Sequence, residues 1–193
     1  MYNIPTEIVV AEQSFAIRNR GDFRMVLDCF VALQDAELTA EERIIASLII
    51  FYEDLNGLED LNKLPDLHEA VIKMFEFFNC GQPEHKSGSN LKLIDWEQDS
   101  QLICSAINKI ANTEIRAVEY LHWWTFMGYY MAIGESPLST IVSIRHKMLT
   151  GKKLEKYEQQ FRRENPQYFT WNSKSVEQQE ADNLAKELWN SGG

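Results

Sequence analysis

The chain has 193 residues, 45% of them hydrophobic, and 29 acidic against 19 basic side chains give a formal net charge of -10. That length suits one domain of about 100 to 200 residues with a buried core. The acidic balance argues against partners that present a phosphate backbone or an anionic membrane surface, because like charges repel, so neither nucleic acid nor a membrane is expected as a partner. Cys29, Cys80 and Cys104 are odd in number, widely spaced and not preceded by a basic-then-apolar leader, which points to reduced thiols in a cytoplasm.

In chain order, EIVVAEQSFAIRN comes first: Ile8 and Val10, then Phe15 and Ile17, recur with period two around a Glu12-Gln13-Ser14 tip, predicting a half-buried β-hairpin over residues 7–18. After Asp22, an N-cap, the spacing of Phe23, Val26, Leu27, Phe30 and Val31 changes to three and four, predicting a helix from Phe23 to Gln34. Thr39 and Glu42 read as a capping box opening a second helix that runs to Asp54. Pro65-Asp66 with Glu69 opens a third, ending at Asn79. The Gly-, Pro- and Ser-containing stretch Cys80–Asn90 reads as a surface loop.

Asp95 with Gln98 repeats the capping signature before a fourth helix striped by Ile103, Ile107 and Ile110. The fifth is LHWWTFMGYYMAIG, Leu121–Gly134, uncharged but well short of the roughly 20 apolar residues a bilayer span needs. Ser136-Pro137 opens a sixth helix that carries Ile141, Ile144 and Met148 and stops near Gly151, and a charged helix follows from Leu154 to Arg163. The expected fold class is therefore mainly α: a helical bundle of six to seven helices with a small N-terminal hairpin, one domain over residues 1–163. Residues 164–193 are expected to be a loosely attached segment with one polar helix, Ser175–Trp189.

Groups able to act together chemically are sparse. Cys80 and His85 supply half the spacing of a zinc site, with no second pair. Asp95, Glu97 and Asp99 are most simply read as carboxylates favoured by the dipole of a helix's first turn. His122 lies three residues past Glu119, close enough on a helix to raise its charge, though a satisfied histidine beside an aromatic core is the simpler reading. No nucleophile elbow, phosphate loop, zinc-protease motif or dinucleotide fingerprint occurs. The expectation is a non-enzymatic protein without metal or cofactor.

Charge is unevenly spread: Asp35 to Glu69 holds ten acidic residues against Arg43 and Lys63, whereas Arg145 to Arg163 holds seven basic ones against Glu155 and Glu158. Solvated helix faces explain this, and so do opposite patches that guide self-association into a homo-oligomer or the docking of a charged partner.

Four pieces taken in order, FAIRNRGDFR (Phe15–Arg24), LTAEERIIASLIIFY (Leu38–Tyr52), DWEQDSQLICSAI (Asp95–Ile107) and LHWWTF leading on to SIR (Leu121–Phe126, Ser143–Arg145), resemble the gene-product-fifteen family of tailed phages and prophages of Gram-positive bacteria. The resemblance covers Pro5 to Arg163, and this chain has Thr125 where the family is associated with a basic residue. It implies a role in building a long phage tail. Such genes lie between those for the major tail protein and the tape measure, the usual place of tail assembly chaperones. The implied function is a non-catalytic chaperone in the cytoplasm of an infected or lysogenic host, with the tape measure protein as partner and major tail tube subunits as a further one. The alternative is a minor structural tail protein retained in the virion. For partner binding the sequence offers the outer edge of the aromatic helix, Trp124, Met127 and Met131, with Arg145, Lys152 and Lys153 from the basic stretch; Trp123, Phe126 and Tyr130 are expected inward, and small Gly128 and Ala132 to admit another backbone.

Overall fold

The computed structural model describes residues 3–35, 37–82 and 91–171. Among these the chain is mainly helical, with one two-stranded sheet. Its packing forms two compact units, one of residues 3–82 and 119–127 and the other of residues 91–118 and 128–171.

The first unit opens with β1 (Glu7–Val10) and β2 (Gln13–Ala16), antiparallel with Ile8 opposite Phe15 and Val10 opposite Gln13. Period two puts Ile8, Val10, Phe15 and Ile17 on the buried side, as their alternation predicts. The turn differs from expectation: its two residues are Ala11 and Glu12, both at positive φ (46° and 67°), and Gln13 and Ser14 belong to the strand. A two-residue loop with both φ positive matches the twist of the strands it joins, so the pairing register outweighs the lack of glycine or asparagine there. The tip is held down by Ala11 N–H donating to a Glu69 carboxylate oxygen at 2.9 Å.

Helices α1 (Phe23–Leu33), α2 (Ala40–Phe51) and α3 (Leu67–Phe78) follow, each started by the residue its sequence nominates. Asp22 accepts from Arg24 N–H, Asp66 accepts from Glu69 N–H, and Thr39 and Glu42 form the reciprocal capping box. Their inner faces supply Val26, Cys29, Leu48, Phe51, Met74 and Phe77 to the core. Each side chain of this size contributes about 1.5 to 3 kcal/mol by leaving water. Tyr52, fully buried just past α2, satisfies its hydroxyl by donating to Ala70 O at 2.8 Å.

The second unit contains α4 (Ser100–Ala111), α6 (Pro137–Leu149) and α7 (Lys156–Glu164) around Ile103, Ile107, Ile115, Leu138, Ile141 and Ile144. Ser136 and Ser139 cap α6 reciprocally, and Gly151 (φ 69°) follows its end as expected. Asp95, however, does not open α4. Its carboxylate accepts from the N–H groups of Glu97 and Gln98 in a separate turn, and the helix starts only at Ser100. Past Arg163, where a loose segment is expected, Phe169 packs edge-on against Phe161 and the carbonyl of Tyr168 receives Arg145. The expected polar helix Ser175–Trp189 and most of the Cys80–Asn90 loop, His85 included, lie outside the described residues.

The aromatic helix α5 (Trp123–Met131) is shorter than its sequence suggests, and the boundary between the units falls within it. Only Trp123 and Phe126 are buried in it, so it is not enclosed on all sides. Gly128 and Ala132 are exposed, and a Cβ at Gly128 would meet nothing within 4 Å, so no backbone approaches there among the described residues.

Candidate partner-binding surface

Aromatic and capping groups fix the start of α5 in the first unit. Phe23 N–H donates to Leu121 O at 2.9 Å, and Leu121 N–H donates to the Asp22 carboxylate at 2.9 Å, so the cap of α1 also holds the strand-like approach to α5. Trp123 stacks on Phe126 and meets Phe30 edge-on, while its indole N–H donates to Phe78 O. Phe126 in turn stacks on Phe23 at 4.7 Å between ring centroids. The tryptophan nitrogens thus cap the carbonyls at the end of α3, since Trp124 donates to Phe77 O at 2.9 Å.

His122 is placed by hydrogen bonds that define its tautomer. Trp124 N–H donates to Nδ1 at 3.0 Å, which requires that nitrogen to be bare, so Nε2–H donates to Pro5 O at 2.9 Å. Burial lowers its pKa, opposed by the Pro5 carbonyl and the Asp22 carboxylate. His122 is thus a satisfied histidine beside the aromatic core, the simpler of the two readings, and its partners are backbone groups rather than Glu119.

The six residues nominated for partner binding have different surroundings. Trp124 and Met127 are half-buried in the first unit. Met131 is 77% exposed, and Lys152 and Lys153 are exposed in the second. Arg145 is a correction: it is 3% exposed and its guanidinium is consumed inside the second unit. Nη1 and Nη2 grip the two oxygens of Asp99 at 2.6 and 2.9 Å, Leu93 O and Tyr168 O take the remaining donors, and Trp171 lies against its face at 4.2 Å. Asp99 stands at the N-cap of α4, as a carboxylate favoured by the helix dipole should, but its oxygens make no capping hydrogen bond and are committed to this pair.

One feature escapes the sequence reading. Asn19, Arg20 and Gly21 are consecutive left-handed residues (φ 49°, 55° and 77°), a costly arrangement for the first two. It is held by Asn19 N–H donating to Glu53, by Tyr120 O–H donating to Arg20 O at 2.9 Å, and by the Arg20 guanidinium over the Tyr120 ring. A shallow hollow beside it is lined by Thr6, Ala16, Asn19, Arg20 and Glu53. The Asn-Arg-Gly-Asp run is a turn signal, but nothing in it announces three left-handed residues. Among the described residues no group of three His, Cys, Asp or Glu side chains is placed to hold a metal ion, and no helix is long and apolar enough to cross a membrane.

A model of the family described as Bacteriophage Gp15 protein matches residues 5–169. No curated protein and no solved structure matches the chain.

Proposed function

Because the chain belongs to the Bacteriophage Gp15 protein family, we propose that it acts in building a long phage tail, as a non-catalytic assembly chaperone in the host cytoplasm that keeps the tape measure protein soluble and helps recruit tail tube subunits. Family membership makes it a phage protein. The observation that carries the finer reading is Met131, a flexible thioether 77% exposed at the end of an aromatic helix. An unbranched, polarizable side chain left in water is adapted to irregular apolar partners, and a tape measure protein is long, helical and partly apolar. The withdrawal of Arg145 and Asp99 into a structural pair also leaves those two side chains without reactive valence.

Co-expression with the adjacent tape measure gene tests this reading. The tape measure protein is expected to be soluble and to co-purify with the chain, and to do neither with Met131→Asp, a substitution at an exposed site that leaves the circular dichroism spectrum unchanged. Failure of the wild-type chain to solubilise or capture it would sink the proposal. Mass spectrometry of purified particles adds a second check: a chaperone is missing from them, whereas a minor structural protein is found at fixed stoichiometry.

A further inference from the structure

The charge asymmetry sharpens once the buried groups are removed from it. Of the seven basic residues from Arg145 to Arg163, Arg145 is consumed by Asp99 and Lys147 donates to Glu158 at 2.6 Å. Lys152, Lys153, Lys156, Arg162 and Arg163 are left, all exposed. None of these five has an ion-pair partner among the described residues. Lys156 and Arg163 stand seven apart on α7, on the side turned away from buried Glu158 and half-buried Phe161. Tyr157, 64% exposed, adds an aromatic group to the same helix.

The first unit holds a complementary corner. Asp35, Glu37, Glu41 and Glu42 fall within eight residues between α1 and the start of α2, and all four are exposed. The basic residue next to them, Arg43, is buried and directs its Nε–H at Asp35 O, a backbone carbonyl, rather than at any of the four carboxylates. Among the described residues none of the four forms an ion pair.

We propose that the Lys152–Arg163 strip of one copy docks on the Asp35–Glu42 corner of a second copy, head to tail. The surface complementary to the strip is carried by the same chain, in its other unit. Two copies each of net charge -10 repel at long range. That repulsion acts across many ångströms and is screened beyond about 8 Å at physiological salt, whereas charges in contact keep their attraction. The contact is heterologous, using different patches on the two partners, so each added copy exposes a fresh strip or corner and growth continues unless a ring closes. This inference rests on charge placement alone and is independent of the tape measure reading.

Sedimentation velocity of the full chain decides it. At about 150 mM NaCl the protein is expected to form concentration-dependent oligomers, and at about 1 M to be monomeric, where charges are screened within about 3 Å. Neutralising the strip (Lys152→Gln, Lys153→Gln, Lys156→Gln) or the corner (Glu37→Gln, Glu41→Gln) weakens association by about tenfold or more, equivalent to about 1.4 kcal/mol. All five positions are exposed, so folding is unaffected, as circular dichroism checks. The decisive arm mixes the two variants: one intact strip then meets one intact corner, and assembly stops at a 1:1 pair. A wild-type chain that is monomeric at both salt concentrations, association as strong at about 1 M or in either variant as in the wild type at about 150 mM, or a mixture of the variants that associates no better than either alone or grows beyond two would each overturn the proposal.

Discussion

Arg145 and Asp99 face each other with both guanidinium nitrogens on both carboxylate oxygens, at 2.6 and 2.9 Å, and their side chains are 4% and 0% exposed. Asp99 also accepts from Asp95 N–H at 3.0 Å, and the remaining guanidinium donors reach Leu93 O and Tyr168 O. A buried pair this fully bonded gains most of its value from not being half-removed. Arg145→Met strands a buried carboxylate and is expected to cost about 3 to 5 kcal/mol. Adding Asp99→Leu removes the stranded charge and recovers part of that loss. Urea unfolding of the two single variants and the double variant measures the coupling, and additive losses would mean that the pair does not act as a unit.

His122 makes stability depend on pH in a window of its own. Its pKa is lowered by burial, so between the folded value and the ordinary 6.5 the unfolded chain binds more protons than the native one. The contribution is therefore fully present above about pH 6.5 and is lost as pH falls through the folded pKa. Protonation of Nδ1 also turns the acceptor of Trp124 N–H into a second donor, loosening the first turn of α5. The melting temperature is expected to fall as pH drops below 6.5, and His122→Gln, which removes the titrating group, is expected to flatten that slope. An equal slope in the variant would assign the effect elsewhere.

Two glycines are expected to respond in opposite directions to the same substitution. Gly21 has φ +77°, and a Cβ there would stand 2.8 Å from Phe77 Cζ and 3.0 Å from His122 Nε2. Gly21→Ala combines a left-handed backbone with overpacking, for a loss of about 2 to 4 kcal/mol. Gly128 lies inside α5 with open space around its missing Cβ, so Gly128→Ala gains about 0.5 to 1 kcal/mol from helix propensity. Thermal melts of both variants check the contrast, and a stabilised Gly21→Ala protein would refute the crowding.

Local signals made most of the helices legible. Thr39 with Glu42, Asp66 with Glu69, and Ser136-Pro137 each start a helix where the sequence places it, because a cap is settled within four residues. Asp95 misled for the same reason. Its carboxylate does cap two N–H groups, and whether the turn continues as a helix depends on Asp99, which Arg145 claims from 46 positions away. Arg145 carried no sign of burial, since arginine usually lies at a surface. The four pieces that resemble the phage family acquire a physical sense only in three dimensions. FAIRNRGDFR meets LHWWTF through Asp22 and Leu121, and DWEQDSQ meets SIR through Asp99 and Arg145. The aromatic helix was recognisable as a helix and Met131 as part of its outer edge, but the half-burial of Trp124 and Met127 on that edge was not: composition describes how apolar α5 is, whereas burial depends on what the rest of the chain brings to it.

Arg18 offers the most direct test of how the first of those pieces works. The guanidinium sits at the end of α2, where four carbonyls lack partners within the helix. Its Nε donates to Ile50 O at 3.0 Å, and Nη2 points at the carbonyls of Ile49, Tyr52, Glu53 and Leu55. The positive charge also complements the negative end of the helix dipole. Arg18→Met keeps much of the apolar stem but takes the side-chain donor away from the part-buried carbonyls of Ile49, Ile50 and Leu55, for an expected loss of about 2 to 4 kcal/mol. Arg18→Lys retains the charge and is expected to recover less than half, because an ammonium is a point donor and cannot span carbonyls on both sides of the helix end as the planar fork does. Chemical denaturation ranks the three proteins. A lysine variant as stable as wild type would show that charge at the helix end, rather than the geometry of the fork, is what this position supplies.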